Sequence, residues 1–215
     1  MSFIVSKNNP ERMPSRWADF NSHMPGLPTR AFGFKADIGE INRWAARYRA
    51  AASFEGASLV GYQSKDTVDG YSALIRAVLV WSAFEKYLAI CGLDQKKSTT
   101  LISTYNPESV AAKVAKIDRG GLLFGYIRSQ VTNPTLAKEL DAFSGSTPFN
   151  TTYLLSAIRH IFGHGHLTPS ANDASALATR DICNLLCDFH LHVMDADFGN
   201  KVEQFEMMMR DEHSE

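Results

Sequence analysis

Cysteine is scarce in this chain of 215 residues: three are present, at positions 91, 183 and 187, with no Cys-x-x-Cys pair. That excludes a disulfide framework and a cysteine-rich zinc module, and it suits a reducing compartment. Long apolar runs are absent as well. The longest, "AVLVW" at 77–81, falls far short of the roughly 20 residues a bilayer-spanning helix needs. The N-terminal stretch "MSFIVSKNNPERMPSRWADF" turns polar after five residues, unlike a secretory leader, so a cytoplasmic protein without membrane contact is expected. "GLLFG" and "GHG" lack the lysine and hydroxyl of a phosphate-cradling loop, and no Gly-x-Ser-x-Gly turn occurs. P-loop chemistry and serine hydrolysis of that type are excluded, and no cofactor is expected.

Neither sign of charge dominates, since 22 Lys/Arg oppose 23 Asp/Glu for a net charge of −1. The distribution is uneven. Residues 96–160 hold eight basic against four acidic side chains, whereas residues 171–215 hold three against ten. A duplex-DNA binder carries a stronger basic field than this. The local excess permits contact with a polyanion, and the acidic stretch reads as a solvated helix face.

What is present is helical periodicity. The first 35 residues carry four of the eight prolines and no sustained period, which predicts an extended N-terminal arm over 1–35. A single helical-bundle domain is expected over 36–215. Asp37 can cap a helix over 38–54 that turns Ile41, Trp44, Ala45 and Tyr48 to one side. The strongest pattern runs from 68 to 92, where Leu74, Val78, Trp81, Glu85 and Leu88 recur at four- and three-residue steps before Gly92. Further helices are expected over 107–118, 121–131, 134–143 and, after Asn150, through "TTYLLSAIRHIF". A last long helix begins near Asp173 and continues to about 195 or past Gly199. Strand signal is confined to "ASLVGYQ" at 57–63, without an obvious partner. The fold class is therefore all-α, an antiparallel helical bundle with an N-terminal arm.

The densest chemistry lies in "SAIRHIFGHGH" at 156–166, which holds an arginine, three histidines and two glycines. Leu154, Leu155, Ile158, Ile161 and Phe162 form the apolar stripe of that helix, while Ser156, His160 and Gly163 fall on another side. His160 and His164 are one turn apart. Gly163 and Gly165 would cost roughly 1 kcal/mol each inside a helix, which asks for a close approach or a turn.

The run Arg159-His160-Ile161-Phe162-Gly163-His164 resembles the Arg-x4–6-His signature of the HEPN superfamily (higher eukaryotes and prokaryotes nucleotide-binding). The earlier helix "VLVWSAFEKYL" is similar to the aromatic-plus-glutamate helix of several HEPN groups, so the likeness covers roughly 68–195. The resemblance implies a helical homodimer in which two motifs meet across a two-fold axis. It also implies metal-independent endoribonuclease activity, as in toxins and defence effectors, or a non-catalytic module that binds RNA or protein. RNA, a second copy and an antitoxin or other protein are the partners implied. On that pattern Arg159 is the phosphate clamp and His164 the acid or base. His160 stands where many members carry Asn, and Gly163 suits tight packing against the second protomer. Ser156 flanks the imidazole of His160.

Other readings of the same residues stay open. Arg159 can pair with a carboxylate while the imidazoles merely complement the helix dipole. Glu85, on its apolar stripe, is costly there unless paired, with Arg159 as the candidate partner, or else it lies at the rim and reaches water. His160, His164 and His166 could together bind a metal, although Ile161 stands where zinc proteases carry Glu. Cys183, Cys187 and His190 have half-site spacing but sit among apolar neighbours.

Overall fold

Short polar side chains open most of the helices. The structure, a computed structural model, describes residues 12–144 and 150–212, and among them it holds nine α-helices and no strand. Helix α1 (Trp17–His23) leads through a 3-10 turn to α2 (Ile38–Ser53), where the Asp37 carboxylate accepts from the Glu40 amide at 2.9 Å. The Ser64 hydroxyl caps α3 (Lys65–Ile90), and α4 (Ser98–Ile102) is a single short turn. Asn106, in the left-handed region at φ 55°, caps α5 (Pro107–Ile117). Helix α6 (Leu122–Gln130) precedes α7 (Pro134–Ser144), whose first amides bond the Asn133 side chain. Asn150 caps α8 (Thr151–Gly163) and Ser175 opens α9 (Ala176–Glu212).

Helix α3 is the centre of the bundle, packed against α2, α8 and α9. Its buried face is built from Leu74, Ala77, Val80, Phe84, Tyr87 and Ile90. Consecutive α2 and α3 run antiparallel: Trp44, early in α2, meets Tyr87 late in α3, while Ala57 beyond α2 meets Ser72 early in α3. By contrast α3 and α9, far apart in the chain, run in the same direction. Arg76 bonds Asp188 at 2.7 Å and Tyr87 donates to Asp197 at 2.6 Å, so both helices advance together.

The expected arm is not extended throughout, since α1 and the 3-10 turn at Thr29–Phe32 lie within it, and where described it covers this chain's own core. Phe20, Phe32 and Phe34 are buried, and Phe20 and Phe34 contact Phe198 of α9. Arg16 fastens the segment to α9 by a 2.7 Å bond to Glu206. Residues 1–11 of the arm and 213–215 of the tail lie outside the described residues. Residues 57–63 form no strand, and Val60 at their centre is 98% exposed. No helix among the described residues is long and apolar enough to cross a membrane.

Of the two readings of Glu85, the structure shows the one at the rim. It is exposed, and the buried stripe passes beside it through Ala77, Trp81, Phe84 and Leu88. Small alanines at 73, 77 and 83 rotate the packed face of α3, which a stripe of large residues alone would not reveal. Among the described residues no ion pair joins Glu85 to Arg159.

Candidate functional site

Helix α8 is held at both ends. At its start the Asn150 side-chain oxygen accepts from the Thr152 amide at 2.9 Å. The Asn150 amide nitrogen donates to Ser98 Oγ at 2.8 Å and Thr99 Oγ1 at 2.9 Å. Ser98 in turn donates to the Gln95 carbonyl at 2.6 Å, and the Lys97 amide bonds Asp94 at 2.9 Å. One cap thus fixes a helix start and the loop before α4 together.

At the other end the chain closes by a glycine-dependent turn. Gly165 sits at φ 77°, its amide donates to the Phe162 carbonyl at 2.9 Å, and the His166 amide donates to the Ile161 carbonyl at 2.9 Å. This is the Schellman arrangement, which needs a residue free to enter the left-handed region. Gly165 therefore answers to backbone geometry. Tyr126 donates its hydroxyl to the His166 carbonyl and ties this end to α6. Gly163, the last helical residue, is exposed, and a Cβ built there would meet nothing within 4 Å in this chain.

Between these ends Leu154, Leu155, Ile158 and Ile161 are buried, and the opposite face offers chemistry to solvent. Ser156 and Arg159 are half-buried, whereas His160 and His164 are exposed. The two imidazoles touch edge to face, with ring centroids 4.5 Å apart and planes at 69°. Desolvation lowers the pKa of His160, helped by the neighbouring His164 and Arg159. Arg159 has no carboxylate within ion-pair distance among the described residues. Its side chain lines a cavity of about 470 Å³, with Ser156 and His160 beside it and Lys96 and Gln95 on the facing loop. His164 stands outside that lining, in contact with His160.

The remaining candidates are dispersed. His166 is exposed, and among the described residues no three His, Cys, Asp or Glu side chains gather as a metal site. Cys183, Cys187 and His190 are fully buried in α9. Burial pushes the Cys187 thiol up to about 12 and holds both thiols protonated. The His190 ring bonds the Leu186 carbonyl through Nδ1 at 2.7 Å and packs on Phe84, so it belongs to the core. Trp44 and Trp81 are buried, and Trp17 stacks among Phe20, Trp44 and Phe198, leaving none as a platform for bases.

The sequence reading missed Lys96, Gln95 and Asn133, which complete the cavity wall. They come from two loops, where no periodicity marks a residue as facing a site. The available signal was the local basic excess beginning at residue 96. No family model, curated protein or solved structure matches this chain. The HEPN resemblance therefore stands on residues 159–164 and their helical setting.

Proposed function

We propose that the protein is a HEPN-like, metal-independent endoribonuclease that works as a homodimer, with Arg159 and His164 at its centre. One observation carries the reading. A guanidinium with no carboxylate in ion-pair distance among the described residues lines a cavity shared with Lys96, beside two touching imidazoles. A buried ion pair at Arg159 would have removed it.

The chemistry assigns each group a task. A neutral imidazole takes the proton from a ribose 2′-hydroxyl, whose oxygen attacks the adjacent phosphorus. The O2′–P bond forms and the P–O5′ bond breaks, leaving a 2′,3′-cyclic phosphate and a 5′-hydroxyl. A protonated imidazole delivers the proton to the departing 5′-oxygen. His164 can take either role, and its copy on the second protomer supplies the other, while His160 in contact with it orients the site or meets RNA. Arg159 offers its fork to the phosphorane oxygens, where negative charge grows. Gly163 leaves the helix end bare for the second protomer.

A second reading, a non-catalytic module that binds RNA or a protein partner, draws on the ten acidic residues within 171–215. Labelled RNA incubated with the purified chain in EDTA separates the two. Fragments with cyclic-phosphate ends, absent with His164→Ala, support the nuclease. Retention of intact RNA supports the binding module.

A further inference from the structure

His160 and His164 meet in a way that the cleavage reading does not require. The His164 amide donates to the His160 carbonyl at 3.1 Å, so the turn between them is closed and both side chains leave α8 on one face. Two histidines one helical turn apart are a known way to hold a divalent ion. Both rings are exposed, and their centroids are 4.5 Å apart. An ion about 2.1 Å from a ring nitrogen lies about 3.2 Å from that ring's centre, so two rings sharing one ion stand about 4.5–5.2 Å apart. The pair has that separation. Its rings meet edge to face, and rotation about each Cβ–Cγ bond, which is soft in histidine, aims a nitrogen of each at one point. A Cβ built on Gly163 or Gly165 would meet nothing within 4 Å, so the chain leaves open space on both sides of His164. His166 does not join them. The chain leaves the helix at Gly165, φ 77°, and among the described residues no third His, Cys, Asp or Glu gathers with the pair.

We propose that His160 and His164 chelate one borderline divalent cation, Zn²⁺, Ni²⁺ or Cu²⁺, with water completing its coordination. Imidazole nitrogen suits these ions, whereas Mg²⁺ and Ca²⁺ need oxygen ligands that the pair does not offer. Each ring gives a nitrogen lone pair to the metal, and a protonated ring first loses its proton to solvent. The binding stands on the geometry of the pair alone. Its consequence rests on the proposed nuclease reading. An imidazole that holds a metal ion can neither take nor deliver a proton, so the ion shuts the cleavage centre. The cation is an inhibitor of a metal-independent reaction and not its cofactor.

Calorimetry on the full chain with each metal chloride alone, free of chelator, tests the site. One ion per chain should bind, with Cu²⁺ tightest and Mg²⁺ and Ca²⁺ silent. His160→Ala and His164→Ala should each weaken Zn²⁺ binding about 100-fold, because a chelate becomes a single ligand. His166→Ala, which removes an exposed imidazole outside the pair, should leave the affinity unchanged. Electron paramagnetic resonance of the Cu²⁺ complex should show two coupled nitrogens, and one in either variant of the pair. Zn²⁺ affinity that survives both substitutions, or falls equally with His166→Ala, overturns the proposal. RNA cleavage in EDTA by a chain that binds no Zn²⁺ sinks the metal site alone. Zn²⁺ binding by a chain that cuts no RNA in EDTA sinks the nuclease reading alone. Cleavage that persists once Zn²⁺ saturates the pair overturns the inhibitory role.

Discussion

Helices α3 and α8 end in the same way and lie in opposite surroundings. In α3 the Gly92 amide bonds the Ala89 carbonyl at 3.0 Å and the Leu93 amide bonds Leu88 at 2.8 Å. In α8 Gly165 and His166 repeat both bonds. The glycines share the left-handed region, at φ 71° and 77°. Beyond that the two ends part. The Lys35 amide donates to the Ile90 carbonyl at 2.8 Å, and the Lys35 side chain lies over Gly92, so the end of α3 is covered. The end of α8 carries four exposed residues in succession, 163–166, two of them histidines. A shared stop signal thus closes one helix into the core and leaves the other presenting titratable groups. The backbone motif explains the glycines, and only the surroundings point to function.

Substitutions at the two ends should separate along this line. The largest effect is expected for His164→Ala. Loss of one acid–base group should slow RNA cleavage by about 10²–10⁴-fold while the thermal midpoint stays put, since the side chain is exposed. A parallel drop in midpoint would return the end of α8 to a structural role.

His190 extends the contrast to the imidazoles. Burial holds its pKa down at about 4, far below an ordinary histidine near 6.5. The unfolded chain therefore binds a proton between those values that the folded chain refuses. Stability present above pH 6.5 is lost as the pH falls toward 4, by about 3 kcal/mol in all. Urea titrations at pH 7 and pH 4.5 should show this slope, and His190→Phe should flatten it within that window.

Smaller effects follow for the glycines. Gly92→Ala places a Cβ 2.8 Å from Lys35 Cγ as well as forcing positive φ. A loss of about 2–3 kcal/mol is expected. Gly165→Ala meets open space and should lose only about 1 kcal/mol, from its backbone alone. Gly163→Ala should gain about 0.5 kcal/mol of monomer stability, because alanine favours the helix and nothing lies in its way. If that face packs on a second protomer, the same substitution lowers cleavage while raising the midpoint. Thermal melts and RNA assays on the three variants rank them directly.

Much of this architecture could be read from single residues. Asp37, Asn150 and Gly92 punctuate their helices where a carboxylate, an amide or a missing Cβ is required. Ile41, Trp44 and Tyr48 are buried as their spacing implies. Whether Glu85 packs or reaches water could not be read from the sequence, because alanines carry little hydrophobic signal yet set which side of α3 packs. The parallel run of α3 and α9 is a long-range feature that no local period encodes. The cavity was illegible for a related reason, since residues near 95 and 133 reach α8 through long-range packing and ties such as Asn150–Ser98 and Asn150–Thr99. Arg159 and His160 were legible as a cluster, and their partners across the cavity were not.

The central claim, that Arg159 and the imidazoles beside it grip a phosphodiester, is tested most directly by the histidine rings themselves. Ring NMR signals can be followed while a 2′-O-methyl RNA, which cannot be cut, is titrated into the full chain. The account predicts that His160 and His164 shift together and saturate, that buried His190 does not move, and that Arg159→Ala abolishes the response. RNA that binds while both exposed rings stay still, or shifts that survive Arg159→Ala undiminished, would contradict it.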